Sequence, residues 1–597
     1  MQPLEILSNV FGYSEFRLQQ REIIQAVING KDAFVLMPTG GGKSLCYQIP
    51  ALYLNGVAVV VSPLISLMKD QVDALRLNGV KAEYYNSSLT GNEARQIISR
   101  LHNDDIDLLY VAPERLMHAD FIGMLQNISL SLIAIDEAHC VSQWGHDFRP
   151  EYVQLGSLRC VFPAVPVVAL TATADLQTRK DIIERLCLFD ATTFISSFDR
   201  PNIHYAVVDK HKPKEQLLNF LSEHHGGSGI VYALSRKRVD EITKMLVDAK
   251  INAASYHAGL SDKVRSQVQN KFLNDDIQVV VATVAFGMGI DKPNVRFVFH
   301  YDLPKNIESY YQETGRAGRD GLPADAMLLF GYGDIAIARG LIEKGSNQEQ
   351  KRIEIHKLNA MVSYAEPLTC RRRALLAYFG EVSAVDCGNC DICLNPPDKY
   401  DATEDAQKLL SCVYRVQQRY GAKHIIDVLR GSHNQRILDL GHDKLSTYGI
   451  GSDKKQDEWG CLVRQLVHLG YLYQDVENYS VLKLTEMSRK VLTGKEILFL
   501  ARLRVKTSVK KELKKRALDL DYDHVLMDRL RILRKKIAKD DSVPPYVVFS
   551  DSTLMEMAFY LPTHEQSMLK MNGVGKHKMD KYGSRFIEEI LAYCDID

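Results

Sequence analysis

Short apolar runs alternate with helical patterns along the first third of the chain: Ala33 to Leu36, Val57 to Val61, Asp107 to Val111, Leu132 to Ile135 and Val167 to Leu170. Runs this short and this uniformly apolar fit strands buried on both faces, and their alternation with helices builds a parallel sheet. The rhythm restarts after Phe198-Asp-Arg-Pro-Asn202, with runs at Gly229 to Tyr232, Ala253 to Tyr256, Gln278 to Ala282, Val295 to His300 and Ala326 to Phe330. Two tandem α/β domains with a cleft between them are expected.

The rest of the chain must fold differently. Its 597 residues allow three to five domains at about 100 to 200 residues each. From about Ala338 the pattern turns helical and ends in a cysteine cluster and a polar Asn395-Pro-Pro-Asp-Lys stretch that reads as a linker. Residues 405–500 mix helical patterns with a hairpin from Tyr471 to Leu484, as in a helix-plus-wing domain. Eight Lys and Arg against Glu512 between Arg502 and Arg516 read as a solvated connector, and the stretch from Tyr522 to Asp597 is mostly helical. The expected division is 1–200 and 201–337 for the α/β domains, 338–403, 404–505, a basic linker 506–521, and 522–597.

Apolar residues at 46% and charged residues at 25% disfavour extensive disorder and a fibrous coil. No apolar run is long enough to span a bilayer and no signal peptide is visible, so a cytoplasmic protein without a membrane partner is expected. Seventy-four basic residues balance 74 acidic ones, so only local patches could attract a polyanion.

Met37-Pro-Thr-Gly-Gly-Gly-Lys-Ser44 follows a strand and precedes a helix. In that context glycines let backbone N–H groups approach phosphate oxygens, Lys43 reaches the β and γ phosphates, and the Ser44 hydroxyl can bind Mg²⁺. Thr39, Gly40, Gly41 and Gly42 form the cradle, and Met37 replaces the usual first glycine. Ala134-Ile-Asp-Glu-Ala-His139 ends a strand about a hundred residues on. There Asp136 would hold Mg²⁺ and Glu137 would polarise the attacking water. Arg316 and Arg319 could reach the γ phosphate from the second domain, a task suited to permanently charged, planar guanidinium groups. Three cysteines in Cys387-Gly-Asn-Cys390-Asp-Ile-Cys393 can wrap one ion, with a fourth thiolate needed for tetrahedral closure. Trp144, Phe148 and Arg149 crowd a loop after the acidic pair, where aromatic rings beside Arg can stack single-stranded bases.

Asp136-Glu-Ala-His139, Thr171-Ala-Thr173, Ala282-Thr-Val-Ala-Phe-Gly-Met-Gly289 and Gln312 to Arg319, in this order, resemble the motor of a superfamily 2 helicase. Phe11-Gly-x-x-x-Phe-Arg-x-x-Gln20 and Ser142-Gln-Trp-Gly-His-Asp-Phe-Arg-Pro150 narrow the resemblance to the RecQ family of DNA helicases, over the chain from about residue 4 to its end. The resemblance implies two tandem RecA-like α/β domains, a helical zinc-binding subdomain, a winged helix and an all-α HRDC domain. It also implies an ATP- and Mg²⁺-dependent 3′ to 5′ motor on forks, tailed duplexes and recombination or repair intermediates. Single-stranded and duplex DNA would be partners, with single-strand-binding protein and recombination or repair proteins beside them, in repair, recombination, replication and the SOS response.

Carried onto this sequence, the family pattern gives adenine recognition to Phe16, Arg17 and Gln20, a nucleotide contact to Gln312, and Cys370 as the fourth zinc ligand. An iron–sulfur cluster is the other four-cysteine reading. Thr283 would contact a DNA phosphate, Tyr479 near the wing turn would sit at the terminal base pair, and Tyr546 would bind single strands. The rivals to this reading are an RNA-unwinding motor and a DNA-structure-binding scaffold whose ATP site only switches grip.

Overall fold

The computed structural model describes residues 2–86, 89–145, 147–284, 286, 292–343, 345, 347–365, 369–396, 398–475, 481–502, 522–541 and 543–594. His146, Met288, Gly289, Tyr479 and the 506–521 linker lie outside the described residues.

Seven strands form the first sheet: β1 (Ala33–Leu36), β2 (Val57–Val61), β3 (Ala82–Tyr85), β4 (Leu108–Val111), β5 (Leu130–Ile135), β6 (Val167–Thr171) and β7 (Thr192–Ile195). Their order is β3-β4-β2-β5-β6-β1-β7, and every pair is parallel. Alternate residues explain why these runs are continuously apolar. Phe34 and Leu36 enter one core cluster and Ala33 and Val35 the other, as Val59 and Val60 do on β2, so both faces are dry.

The second sheet contains β8 (Ile203–Asp209), β9 (Ser228–Tyr232), β10 (Ala253–Tyr256), β11 (Val279–Ala282), β12 (Val295–His300) and β13 (Ala324–Phe330). It is again parallel, in the order β10-β11-β9-β12-β13-β8. The sequence pattern does not announce strands β3, β7 and β8, and all three lie at sheet edges.

Helices Gln348–Ala365 and Arg371–Tyr378 carry the chain to the cysteine cluster. Their side chains Leu358, Met361, Leu375 and Leu376 share one core cluster with residues of both α/β domains, which fixes this subdomain across the pair. A separate core around Trp459 holds the next domain, where β15 (Leu472–Asp475) and β16 (Val481–Leu484) form the expected antiparallel hairpin. Strand β14 (Lys399–Asp401) pairs with β17 (Phe499–Ala501) and closes that domain end to end.

The last helices, starting with His524–Asp540, gather around Phe549 and Phe586. They dock on both α/β domains. Gly573 N donates to the Gly12 carbonyl at 2.9 Å, Lys535 pairs with Asp276 at 3.4 Å, and Leu322 packs into the helical core.

Candidate active site

Strands β1, β5 and β6 end side by side at the carboxyl edge of the first sheet, where ligands of open parallel sheets bind. The loop after β1 is tied there, since Met37 N donates to the Thr171 carbonyl at 3.1 Å. Gly40 and Gly42 adopt φ of +81° and +78°, a region open to glycine at no steric cost. A methyl on Gly42 would stand 2.4 Å from Gln20 Nε2. That close approach exists because the Gln20 amide donates to the Gly41 and Gly42 carbonyls at 3.3 and 3.0 Å, while its oxygen accepts from Arg17 N at 2.9 Å. Gln20 thus braces the phosphate loop. Phe16 packs into an adjacent apolar cluster with Arg21 over its ring, and exposed Arg17 lies over Tyr13.

Lys43 Nζ donates to the Met37 carbonyl at 3.3 Å, across the loop where phosphate oxygens would sit. Ser44 opens the Leu45–Tyr53 helix as its N-cap. Asp136 follows β5, and its backbone N–H accepts the register of β2 by donating to Val61 O at 2.9 Å. Burial, and then the neighbouring Glu137 charge, push the Asp136 carboxyl up to about 7, with Lys43 acting in the opposite sense. A carboxylate this desolvated fits a place where a cation belongs. Glu137 has φ 49° and ψ 45°, a left-handed conformation that costs a non-glycine residue about 1 to 2 kcal/mol. It is held by its N–H bond to Asp136 Oδ1 at 3.0 Å and by His139 Nδ1, 3.3 Å from Glu137 Oε2. His139 Nδ1 also lies 2.9 Å from Thr171 Oγ1, which joins the acidic pair to the end of β6.

Arg316 and Arg319 follow the Ile307–Thr314 helix of the second domain, which also carries buried Gln312. Burial lowers the affinity of the Arg316 guanidinium for its proton, and nearby Arg319 adds to this. The segment reaches the phosphate loop. A methyl on Gly40 would lie 3.6 Å from Arg319 Cα and 3.4 Å from an Arg200 nitrogen.

The four sulfur atoms of Cys370, Cys387, Cys390 and Cys393 lie within 4.8 Å of one another. Measured separations are 3.5 Å for Cys390–Cys393, 3.8 Å for Cys387–Cys393 and 3.9 Å for Cys370–Cys390. A tetrahedral Zn²⁺ with Zn–S of about 2.3 Å has edges of about 3.8 Å, so the four thiolates fit one zinc ion and not the larger frame of a cluster. Backbone N–H groups of Arg371, Cys387 and Asn389 point at three of the sulfurs at 3.3–3.4 Å, as thiolate stabilisation requires.

Five family models match in sequence along the chain: DEAD/DEAH box helicase at 17–182, helicase conserved C-terminal domain at 212–321, RecQ zinc-binding at 332–394, RQC domain at 396–509 and HRDC domain at 523–590. The chain is 51% identical to the ATP-dependent DNA helicase RecQ of Haemophilus influenzae, over 99% of this chain and 96% of that protein. The chain belongs to the RecQ helicase family. It is also 50% identical to the Pasteurella multocida RecQ helicase, over 99% and 94% of the two chains, and 42% identical to that of Bacillus subtilis, over 99% and 98%. Two tandem RecA-like sheets, a zinc module, a winged helix and an HRDC domain are therefore the architecture of this RecQ-family chain.

The segment from Trp144 to Tyr152 is wired to the acidic pair. Tyr152 OH donates to the Asp136 carbonyl at 3.2 Å, and Arg149 N to the Cys140 carbonyl at 2.9 Å. The Arg149 guanidinium bonds Asp147 at 3.1 Å and the Pro63 carbonyl at 2.7 Å, which ties it to the loop after β2. Trp144 and Phe148 are half-buried. Thr283 follows β11 and is half-exposed, its N–H bonded to the Tyr256 carbonyl at 3.3 Å. Tyr546 stands apart from these. It is half-buried and packs against the Phe286 cluster of the second domain, so its ring forms a contact between domains.

Arg200 escaped the sequence reading. Buried at the domain junction, it donates to the carbonyls of Thr39 at 2.5 Å, Gly315 at 3.3 Å, Ala317 at 3.0 Å and Gly318 at 2.9 Å. One guanidinium thus spans the phosphate loop and the segment that bears Arg316 and Arg319. The only signal in the sequence is Phe198-Asp-Arg-Pro-Asn202 itself, which had read as a domain border.

Proposed function

We propose that the protein is an ATP-dependent 3′ to 5′ DNA helicase that unwinds forked and tailed duplexes and recombination or repair intermediates. The observation that carries this is the wiring of the Trp144–Tyr152 segment, through Tyr152 and Cys140, to the Asp136–Glu137 pair, opposite Arg316 and Arg319. A strand that stacks on the loop shifts the same segment that positions the catalytic carboxylates. Direction and substrate class rest on family membership and on the DNA helicase activity in the names of the relatives.

On binding ATP, Lys43 leaves the Met37 carbonyl and neutralises phosphate charge. Ser44 and Asp136 would hold Mg²⁺, which when bound would neutralise phosphate charge. Glu137 orients the attacking water and takes its proton, while Arg316 and Arg319 stabilise charge on the phosphoryl group. Closure of the second sheet onto the first, and its release after hydrolysis, gives two grips on one strand, and their difference in affinity for ATP and ADP drives the step. The winged helix holds duplex ahead, and single-strand-binding and repair proteins are the partners this substrate class brings.

Strand displacement with 3′-tailed, 5′-tailed and RNA-tailed duplexes tests the reading. Displacement of the 3′-tailed DNA duplex alone is expected. Preference for a 5′ tail, or a requirement for RNA, contradicts it.

A further inference from the structure

Lys357 lies on the Gln348–Ala365 helix of the zinc module, 213 residues along the chain from Trp144 in the first α/β domain. Its side chain is 7% exposed and pairs with Glu308, itself 4% exposed, at 2.5 Å. The same ammonium donates to the backbone carbonyl of Trp144 in the aromatic loop. Glu308 stands in the first turn of the Ile307–Thr314 helix, and that helix runs directly into Gly315 and Arg316. One cation therefore joins the loop that would stack DNA to the helix that aims the arginines. Its own helix is fixed from the zinc end, where buried Arg371 bonds Asp391 and the Tyr364 carbonyl.

This joint is specific in its chemistry. The acceptor on the loop is a main-chain carbonyl, so the bond reports the position of the loop backbone and not the identity of a side chain. Burial makes it costly to separate the pair, because a charge left without its partner there has no water to solvate it. Tyr378 adds to the pocket: burial, and then the Glu308 charge, hold its hydroxyl protonated, so Lys357 is the partner that balances Glu308. Any strand that draws the Trp144 backbone toward the DNA face must take its carbonyl from Lys357.

We propose that Lys357 is a positioning residue that latches the aromatic loop to the arginine-bearing helix and restrains ATP turnover until single-stranded DNA displaces the loop. The proposal rests on the DNA-stimulated ATPase reading given above. In the latched state loop and helix are held in one relative pose. With DNA on the loop, the ammonium keeps Glu308 and the helix is free to move with the second sheet during closure.

The test compares the full chain with Lys357→Met, with the double variant Lys357→Met/Glu308→Gln, which leaves no unbalanced buried carboxylate, and with Lys357→Arg, which keeps a cation. ATP turnover is measured without DNA and at saturating single-stranded DNA, together with the DNA concentration for half-activation and the melting temperature. The double variant is expected to raise DNA-free kcat about tenfold, equivalent to about 1.4 kcal/mol. DNA-saturated kcat should stay within about twofold, half-activation should need less DNA, and Lys357→Arg should restore much of the restraint. Unchanged or lowered DNA-free kcat in the folded double variant overturns the latch, as does a lowered melting temperature with an unaltered stimulation ratio. If the parent itself shows no stimulation by DNA, the functional reading fails first, and that outcome is distinct from a stimulated parent whose variants behave like it.

Discussion

Replacing Arg200 with Ala severs the link between the phosphate loop and the arginine segment. The link is in series: Thr39 O holds one end, and Gly315, Ala317 and Gly318 hold the other. Such a tie is as strong as its weaker end, here one charged hydrogen bond, worth about 1.5 to 3 kcal/mol. If that energy is realised when Arg316 and Arg319 close on the transferring phosphoryl group, its loss slows DNA-stimulated hydrolysis by about 10- to 150-fold. Lys at this position keeps a charge but lacks the fork, so it can satisfy one end only and should recover little of the loss. The assay is steady-state ATP turnover at saturating single-stranded DNA, with fluorescent-nucleotide binding and thermal unfolding as controls. Gly318 O retains a second donor, Asn202 Nδ2 at 2.8 Å, so the fold should survive. Turnover within twofold of the parent in folded Arg200→Ala would refute the argument that this guanidinium aligns the two halves of the site.

Further outcomes are expected for the phosphate site, the aromatic loop and the zinc site. Lys43→Ala should abolish hydrolysis and leave DNA binding largely intact, because Lys43 faces the phosphate loop, and Glu137→Gln should bind ATP without turnover; titrations and phosphate release check both. Phe148→Ala should lose a stacking contact of about 1 to 3 kcal/mol, keeping basal hydrolysis and phosphate-mediated DNA binding while DNA-stimulated hydrolysis falls severely. Collapse of its basal rate would mark Phe148 as a packing residue instead. Metal analysis should find one zinc per chain, and Cys390→Ser or prolonged chelation should lower the melting temperature before ATP turnover changes, since Cys390 is buried in a core shared with both motor domains.

Legibility in the sequence followed burial and distance along the chain. Val57–Val61 is buried at every position and announces itself as a strand. Thr192–Ile195, an edge strand exposed at most positions, carries too little apolar signal, and Ile203–Asp209 ends in exposed residues that break its pattern. The zinc site was readable because three of its ligands fall within one short loop, while Cys370 needed the family pattern. Arg200 and Lys357 were not readable, because their acceptors include main-chain carbonyls of distant residues, and every residue has a carbonyl. The contact of Tyr546 with the second domain was not readable for a related reason: docking of the last domain against the Phe286 cluster depends on surfaces from two separately folded units, which leave no local periodicity.

The central claim is that hydrolysis at the Lys43–Glu137 site drives strand separation. Its most direct test is single-turnover displacement of a 3′-tailed DNA duplex by the parent and by Glu137→Gln, each with ATP and with a non-hydrolysable analogue. The account predicts displacement by the parent with ATP and none in the other three reactions, although all four bind the substrate. Comparable displacement with the analogue, or by Glu137→Gln, would contradict it and leave ATP as a switch of grip and not the source of work.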